Sequence, residues 1–189
     1  MEMATKKELV LYYNRLQKNG LNDSHSGNAS VRTDQGMWIT PTGACAEALD
    51  ANDLVLCTTG APATPGASLD APLHAAIYRE VSGARAILHF HPAHAIALTL
   101  DGEDFLPEDF EGSYFLNRVP VLDVPFQRYT QDSPAAVAEA LVENRVTIVR
   151  GHGAYVCGNS LDQAYKWANA LESSARITWL ARVAGVTCR

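Results

Sequence analysis

The stretch AILHFHPAH, residues 86–94, decides how the rest of the chain is read. Residues 86–91 predict a strand, and Pro92, suited to a first helical turn, opens a helix behind it. Successive side chains of a strand point to opposite faces, so His89 and His91 share one side while Phe90 points to a core. Two imidazoles side by side on one strand face form a chelating pair for a metal ion. From this stretch alone, two unrelated histidines remain the alternative.

Working outward, short apolar runs alternate with helical patterns. Thr5 and Glu8 have capping-box spacing, and Leu9, Tyr12, Tyr13 and Leu16 follow at helical intervals up to Gly20. Residues 29–33 and 37–39 predict a hairpin through Asp34-Gln35-Gly36, and 54–58 a further strand. Asp70 can cap a helix that carries Leu73, Ile77 and Val81. Short strands are expected at 121–124, 146–149 and 154–157. Ser133 and Pro134 start a helix to about Val142, and Ser160 with Gln163 opens a long amphipathic one to about Val183. The piece APATPG, residues 61–66, reads as a loop. Interleaved helices and strands make the class α/β, and the short links point to many antiparallel strand pairs. No repeat or linker divides the chain, so residues 1–189 are read as one domain, long enough to bury a substantial core.

The formal net charge of −6 gives no electrostatic reason to expect nucleic acid or an anionic membrane as partner, although a pocket can be locally positive. Lys6 and Lys7 are followed by no apolar stretch, so a secretory signal of the usual form is not expected, and no run approaches bilayer length. Cys45, Cys57, Cys157 and Cys188 show no CxxC spacing, which predicts a reduced cytoplasmic protein with buried free thiols.

Three further signals carry chemistry. His152 stands between Gly151 and Gly153, where glycines let the backbone turn tightly and bring the ring into a crowded centre. Together with His89 and His91 it would make three ligands with an open fourth position, the pattern of a catalytic zinc site. Asp70, in SLDAPLH (residues 68–74), can act as helix cap, and beside a three-histidine metal also as base, proton shuttle or fourth ligand. The small, hydroxyl-bearing segments GNASVR (27–32) and TPTG (40–43) can form an anion-binding concavity or plain turns at strand ends. His94 is a candidate for the pocket wall and His74 for a packed helix position. Arg118 and Arg128 either reach a neighbour's phosphate site or lie solvated at the surface.

GLNDSHSGNASVR, ITPTG, SLDAPLHAAIY, AILHFHPAH and GHGAYVCGNSLDQA, in this order, resemble successive motifs of the class II aldolase and adducin superfamily, over nearly the whole chain from about Gly20. The resemblance implies a three-layer α/β/α fold with a mixed, mostly antiparallel central sheet, assembled as a homotetramer with sites at subunit interfaces. It implies one Zn2+ per subunit on His89, His91 and His152, and a substrate phosphate held by Asn28, Thr42, Gly43 and Ser68. Asp70 stands where aldolases place a catalytic glutamate. The implied activity is retro-aldol cleavage of a small ketose phosphate to dihydroxyacetone phosphate and an aldehyde.

Several positions depart from the aldolase pattern. Asp70 is one methylene shorter than Glu and resembles the epimerase branch, while Leu69 replaces a frequent serine. The aldolase tyrosine that protonates the aldehyde oxygen would fall near Val124-Pro125-Phe126, and Phe126 has no proton to give; Tyr129 or Tyr114 of a neighbouring subunit are the substitutes. The epimerase acid is absent from Gly112-Ser113-Tyr114, with Asp109 and Glu111 only nearby. A pentulose-phosphate 4-epimerase, a dehydratase and a decarboxylase therefore stand as alternatives on the same metal site, and a non-catalytic adducin-head-like binding module stands last because all three histidines are kept.

Overall fold

The computed structural model describes residues 2–61 and 64–186. Part of the expected 61–66 loop, and Cys188, lie outside the described residues. The elements run α1 (Glu2–Lys18), β1 (Asn28–Arg32), β2 (Gly36–Ile39), β3 (Val55–Thr58), α2 (Ala71–Glu80), β4 (Ala86–Phe90), α3 (Ala93–Leu98), α4 (Phe110–Phe115), β5 (Val121–Leu122), α5 (Tyr129–Glu143), β6 (Val146–Val149), β7 (Gly153–Gly158) and α6 (Leu161–Val183). A 3-10 turn over Phe126–Arg128 leads into α5.

The strands form one sheet in the order β3-β2-β1-β4-β7-β6-β5. Every neighbouring pair is antiparallel except β5 with β6, so the sheet is mixed and mostly antiparallel. The central strands obey the two-residue period of a pleated sheet. Ala29 and Val31 of β1, Ala86, Leu88 and Phe90 of β4, and Ala154 and Val156 of β7 face one core, packed by Leu9, Leu16, Leu161 and Leu171 of α1 and α6. Ile87 of β4 and Tyr155 of β7 face the other, packed by Leu73 and Ile77 of α2 and Val137 and Leu141 of α5. Helices thus cover both sheet faces, which is the expected three-layer α/β/α arrangement. Being covered on both sides explains why all five residues of β4 are buried.

Three local expectations need correction. α1 begins at Glu2, so Thr5 lies inside the helix and does not open it. α5 begins at Tyr129, four residues before the expected start, and Pro134 sits inside it. Pro134 is the sixth residue of this helix, past the four N–H groups that have no intrahelical acceptor, so the helix forgoes one hydrogen bond there, to the carbonyl of Thr130. α4 was not anticipated; Asp109 caps it by accepting from the N–H of Gly112 at 2.9 Å. The Ser160 half of the α6 capping box holds as read, with Ser160 Oγ accepting from the N–H of Gln163 at 3.1 Å, while Gln163 Oε1 accepts from the N–H of Asn159 at 2.9 Å, one residue ahead of the cap. The described cysteines, Cys45, Cys57 and Cys157, are free but only half-buried.

Candidate active site

Strand register builds the site from one row of residues. On the α2/α5 face, Asn28 of β1 pairs with His89 of β4, and His89 with Tyr155 of β7. The rings of His89 and Tyr155 stack at 4.1 Å between centroids with planes 6° apart. His91 lies one residue past the end of β4, its N–H donating to Leu21 O at 2.7 Å and Asn22 Oδ1 at 3.0 Å. That anchor returns its ring to the side of His89, and the two Nε2 atoms come within 3.1 Å.

His152 arrives from the turn between β6 and β7. Gly151 adopts φ +66°, a left-handed conformation that glycine takes without a Cβ clash, as expected. Gly153 serves a different purpose from the one expected. A Cβ there would run into the His91 ring, and would meet Phe90 O at 2.7 Å and His89 Cε1 at 2.9 Å. The glycine is what lets two imidazoles and a strand edge share one place.

One ligand nitrogen from each of His89, His91 and His152 lies within 4.8 Å of the others. A cation held by all three at about 2 Å would draw these nitrogens closer together. His89 Nδ1 is 3.0 Å from Ala154 O. A carbonyl only accepts, so Nδ1 carries the proton and Nε2 keeps its lone pair toward the cluster. Burial, aided by the two neighbouring imidazoles and opposed by Asp70, lowers the His89 pKa to about 3; burial lowers His91 and His152 as well. Neutral nitrogen donors around a common point fit a borderline-soft divalent cation such as zinc.

Asp70 occupies the N-cap position of α2 but makes no capping hydrogen bond, contrary to the simplest expectation. Its carboxylate turns to the sheet. Oδ2 accepts from Asn28 Nδ2 and from Tyr155 OH, each at 2.8 Å, and Oδ1 accepts from Tyr129 OH at 2.8 Å. The two phenols also touch each other. Oδ2 lies 3.9 Å from His89 Nε2. Burial alone would raise the Asp70 carboxyl, but His89, His74 and the donors from Asn28 and Tyr155 outweigh it and hold the group below its ordinary value.

A cleft of about 180 Å³ opens over this cluster, lined by Asn28, Thr42, Gly43, Ser68, Asp70, Tyr129 and the three histidines, among others. The 64–70 segment is laid along 40–43 by the Pro41–Ala67 bridge and by the N–H of Thr42 donating to Gly66 O at 3.0 Å. The expected site residues therefore meet in one place. A larger cavity of about 260 Å³ lies beside it between the starts of α2 and α5, sharing Ser68, Leu69 and Asp70 but no histidine.

Other candidates fall elsewhere. His94 Nδ1 contacts Glu172 of α6 at 2.6 Å and does not line the cleft. Arg118 pairs with Asp104, and Arg128 with Asp132. His74 is fully buried, with Nδ1 2.7 Å from Ser30 Oγ, which is the packed position expected. Sequence reasoning missed Tyr155 altogether and placed Tyr129 ahead of its helix as a candidate from another subunit. The register of β7 against β4 is the signal for Tyr155, and it is not written in either strand alone.

The family model described as "Class II Aldolase and Adducin N-terminal domain" matches residues 7–179. A 3-oxo-tetronate 4-phosphate decarboxylase of Cupriavidus necator is 29% identical over 187 residues, covering 95% of this chain and 85% of its own. An L-fuculose phosphate aldolase of Escherichia coli is 28% identical over 167 residues, covering 84% of this chain and 74% of its own. The crystal structure of an L-fuculose-1-phosphate aldolase from Thermus thermophilus superposes with a TM-score of 0.90 at 35% identity, over 97% of each chain.

Proposed function

Because the chain belongs to the class II aldolase and adducin N-terminal domain family, we propose that it is a zinc-dependent aldolase, cleaving a small ketose phosphate to dihydroxyacetone phosphate and an aldehyde. The observation that carries this reading is the meeting of three neutral imidazoles with one hydrogen-bonded carboxylate in a single cleft. His89, His91 and His152 would hold the ion, which when bound would supply positive charge beside the carbonyl oxygen where negative charge develops.

The chain's own groups do the rest. Asn28, Thr42, Gly43 and Ser68 bind the phosphate and so fix which carbons lie over Asp70. As the C3–C4 bond breaks, its electron pair passes to C3 and the C4 hydroxyl gives its proton to the Asp70 carboxylate as it becomes the aldehyde. Asp70 then hands that proton to C3 and ends as the carboxylate it began, and condensation reverses both transfers. Four copies of the chain form the working assembly, with the sites at their contacts.

The test is to incubate zinc-loaded protein with L-fuculose 1-phosphate and measure dihydroxyacetone phosphate through a coupled reductase. Its zinc-dependent release is the expected result; no release from this or other ketose phosphates would overturn the aldolase reading. One observation favours a second reading: the decarboxylase of Cupriavidus necator aligns over more of this chain than the Escherichia coli aldolase does. Carbon dioxide release from 3-oxo-tetronate 4-phosphate would select that activity on the same metal site.

A further inference from the structure

Tyr155 touches both halves of the proposed chemistry. Its ring lies flat on His89 at 4.1 Å, and its hydroxyl donates to Asp70 Oδ2 at 2.8 Å. It is wholly buried, so nothing in solvent competes for that hydroxyl. Its other partner is Tyr129, which donates to the second carboxylate oxygen and sets its ring edge against His152 at 4.8 Å. With Asn28, three neutral donors hold a carboxylate whose nearer oxygen stands 3.9 Å from the cluster-facing nitrogen of His89.

A carboxylate this close to three neutral imidazoles would complete a four-ligand shell if it were free to swing. A closed shell binds a cation more tightly and leaves no position for substrate. Donors on both carboxylate oxygens oppose that swing, because hydrogen bonds that hold the carboxylate in place are weakened or broken as an oxygen turns to the ion. We propose that Tyr155, assisted by Tyr129, is a positioning residue that restrains Asp70 from becoming a metal ligand. The hydroxyl therefore trades metal affinity for an open coordination position. This rests on the three-histidine metal reading above and adds to it a sign: removing the hydroxyl strengthens metal binding, where an ordinary supporting group would weaken it.

The test uses Tyr155→Phe, which keeps the stacked ring and removes only the hydroxyl. Zinc affinity is measured by competition with a chromophoric chelator, on the full chain, in parallel with turnover. The expected result is zinc binding tighter by about tenfold, with kcat down by about tenfold. The visible spectrum of the cobalt-substituted variant should shift as a carboxylate enters the shell. Asp70→Asn in the same background should abolish the gain in affinity. Tyr129→Phe frees only Oδ1 and should move affinity the same way by less, and it stands as the independent variant if Tyr155→Phe fails to fold. Unchanged or weaker zinc binding in the folded variants would overturn the proposal while leaving the metal site intact. A wild-type protein that binds no zinc would overturn both.

Discussion

Asp70 shows how a residue's role is set by what its side chain meets. At the start of α2 it has the position of a cap, yet its carboxylate accepts from Asn28, Tyr129 and Tyr155. Asp70→Asn is therefore expected to leave zinc content unchanged and the helix in place, while slowing turnover on the order of a hundredfold or more. Metal analysis beside steady-state kinetics checks this, and unchanged turnover would reduce Asp70 to a structural role. His74 carries a pH prediction. Burial, against the opposing charge of Asp70, lowers its pKa from 6.5 to about 4. Between those values the unfolded chain holds a proton that the folded chain refuses, so the His74 contribution is fully present above the unfolded value and is lost as pH falls toward the folded one. The loss is on the order of 3 kcal/mol. Urea denaturation of the metal-free protein should show a smaller drop from about pH 7 to about pH 5 in His74→Gln than in wild type. Equal drops would assign the pH dependence to other groups. The histidines and Asp70 were legible as chemistry in the sequence because their types are few and their spacing distinctive. Tyr155 was not, since a tyrosine in an apolar strand reads as core, which this one also is.

At the level of elements, β4 and β7 do most of the positioning. The pair β4/β7 sets His89 against Tyr155, and the glycine opening β7 lets the His91 ring lie against the strand. Gly153→Ala needs no unusual φ, so the chain can still form the strand, but the added methyl enters the space of two imidazoles. Zinc affinity is expected to fall by about tenfold or more while the secondary structure signal is kept. A variant with wild-type affinity would mean the rings have room to shift. The strands of the central sheet were readable from their short apolar runs, and α6 from its capping box. Helix starts were less readable. Thr5 and Glu8 have the right spacing but lie within a helix already begun at Glu2. Tyr129 was read as outside α5 because Ser133 and Pro134 resemble a start, whereas the helix continues through Pro134 at the loss of one hydrogen bond. α4 is only six residues long and offers little periodicity to read.

The whole molecule carries large apolar side chains that its own fold leaves open: Phe126 is 90% exposed, Phe110 87% and Tyr114 75%. Such residues suit burial between copies of the chain. Sedimentation velocity is expected to report four times the mass of one chain, and Phe126→Asp to shift the distribution toward smaller species. A wild-type protein that sediments as a monomer at micromolar concentration would remove the assembly from the proposal. Among the described residues no helix is long and apolar enough to cross a membrane. The order of motifs along the chain was enough to determine the fold class, the family and the set of histidines, because residue type and local period survive in one dimension. Which face of which strand meets which helix start was decided only in three dimensions. Tyr155 is 85 residues from Asp70 and Tyr129 is 59. Strand register and the packing of α5 bring those hydroxyls to one carboxylate, and neither constraint is local to any segment of the chain.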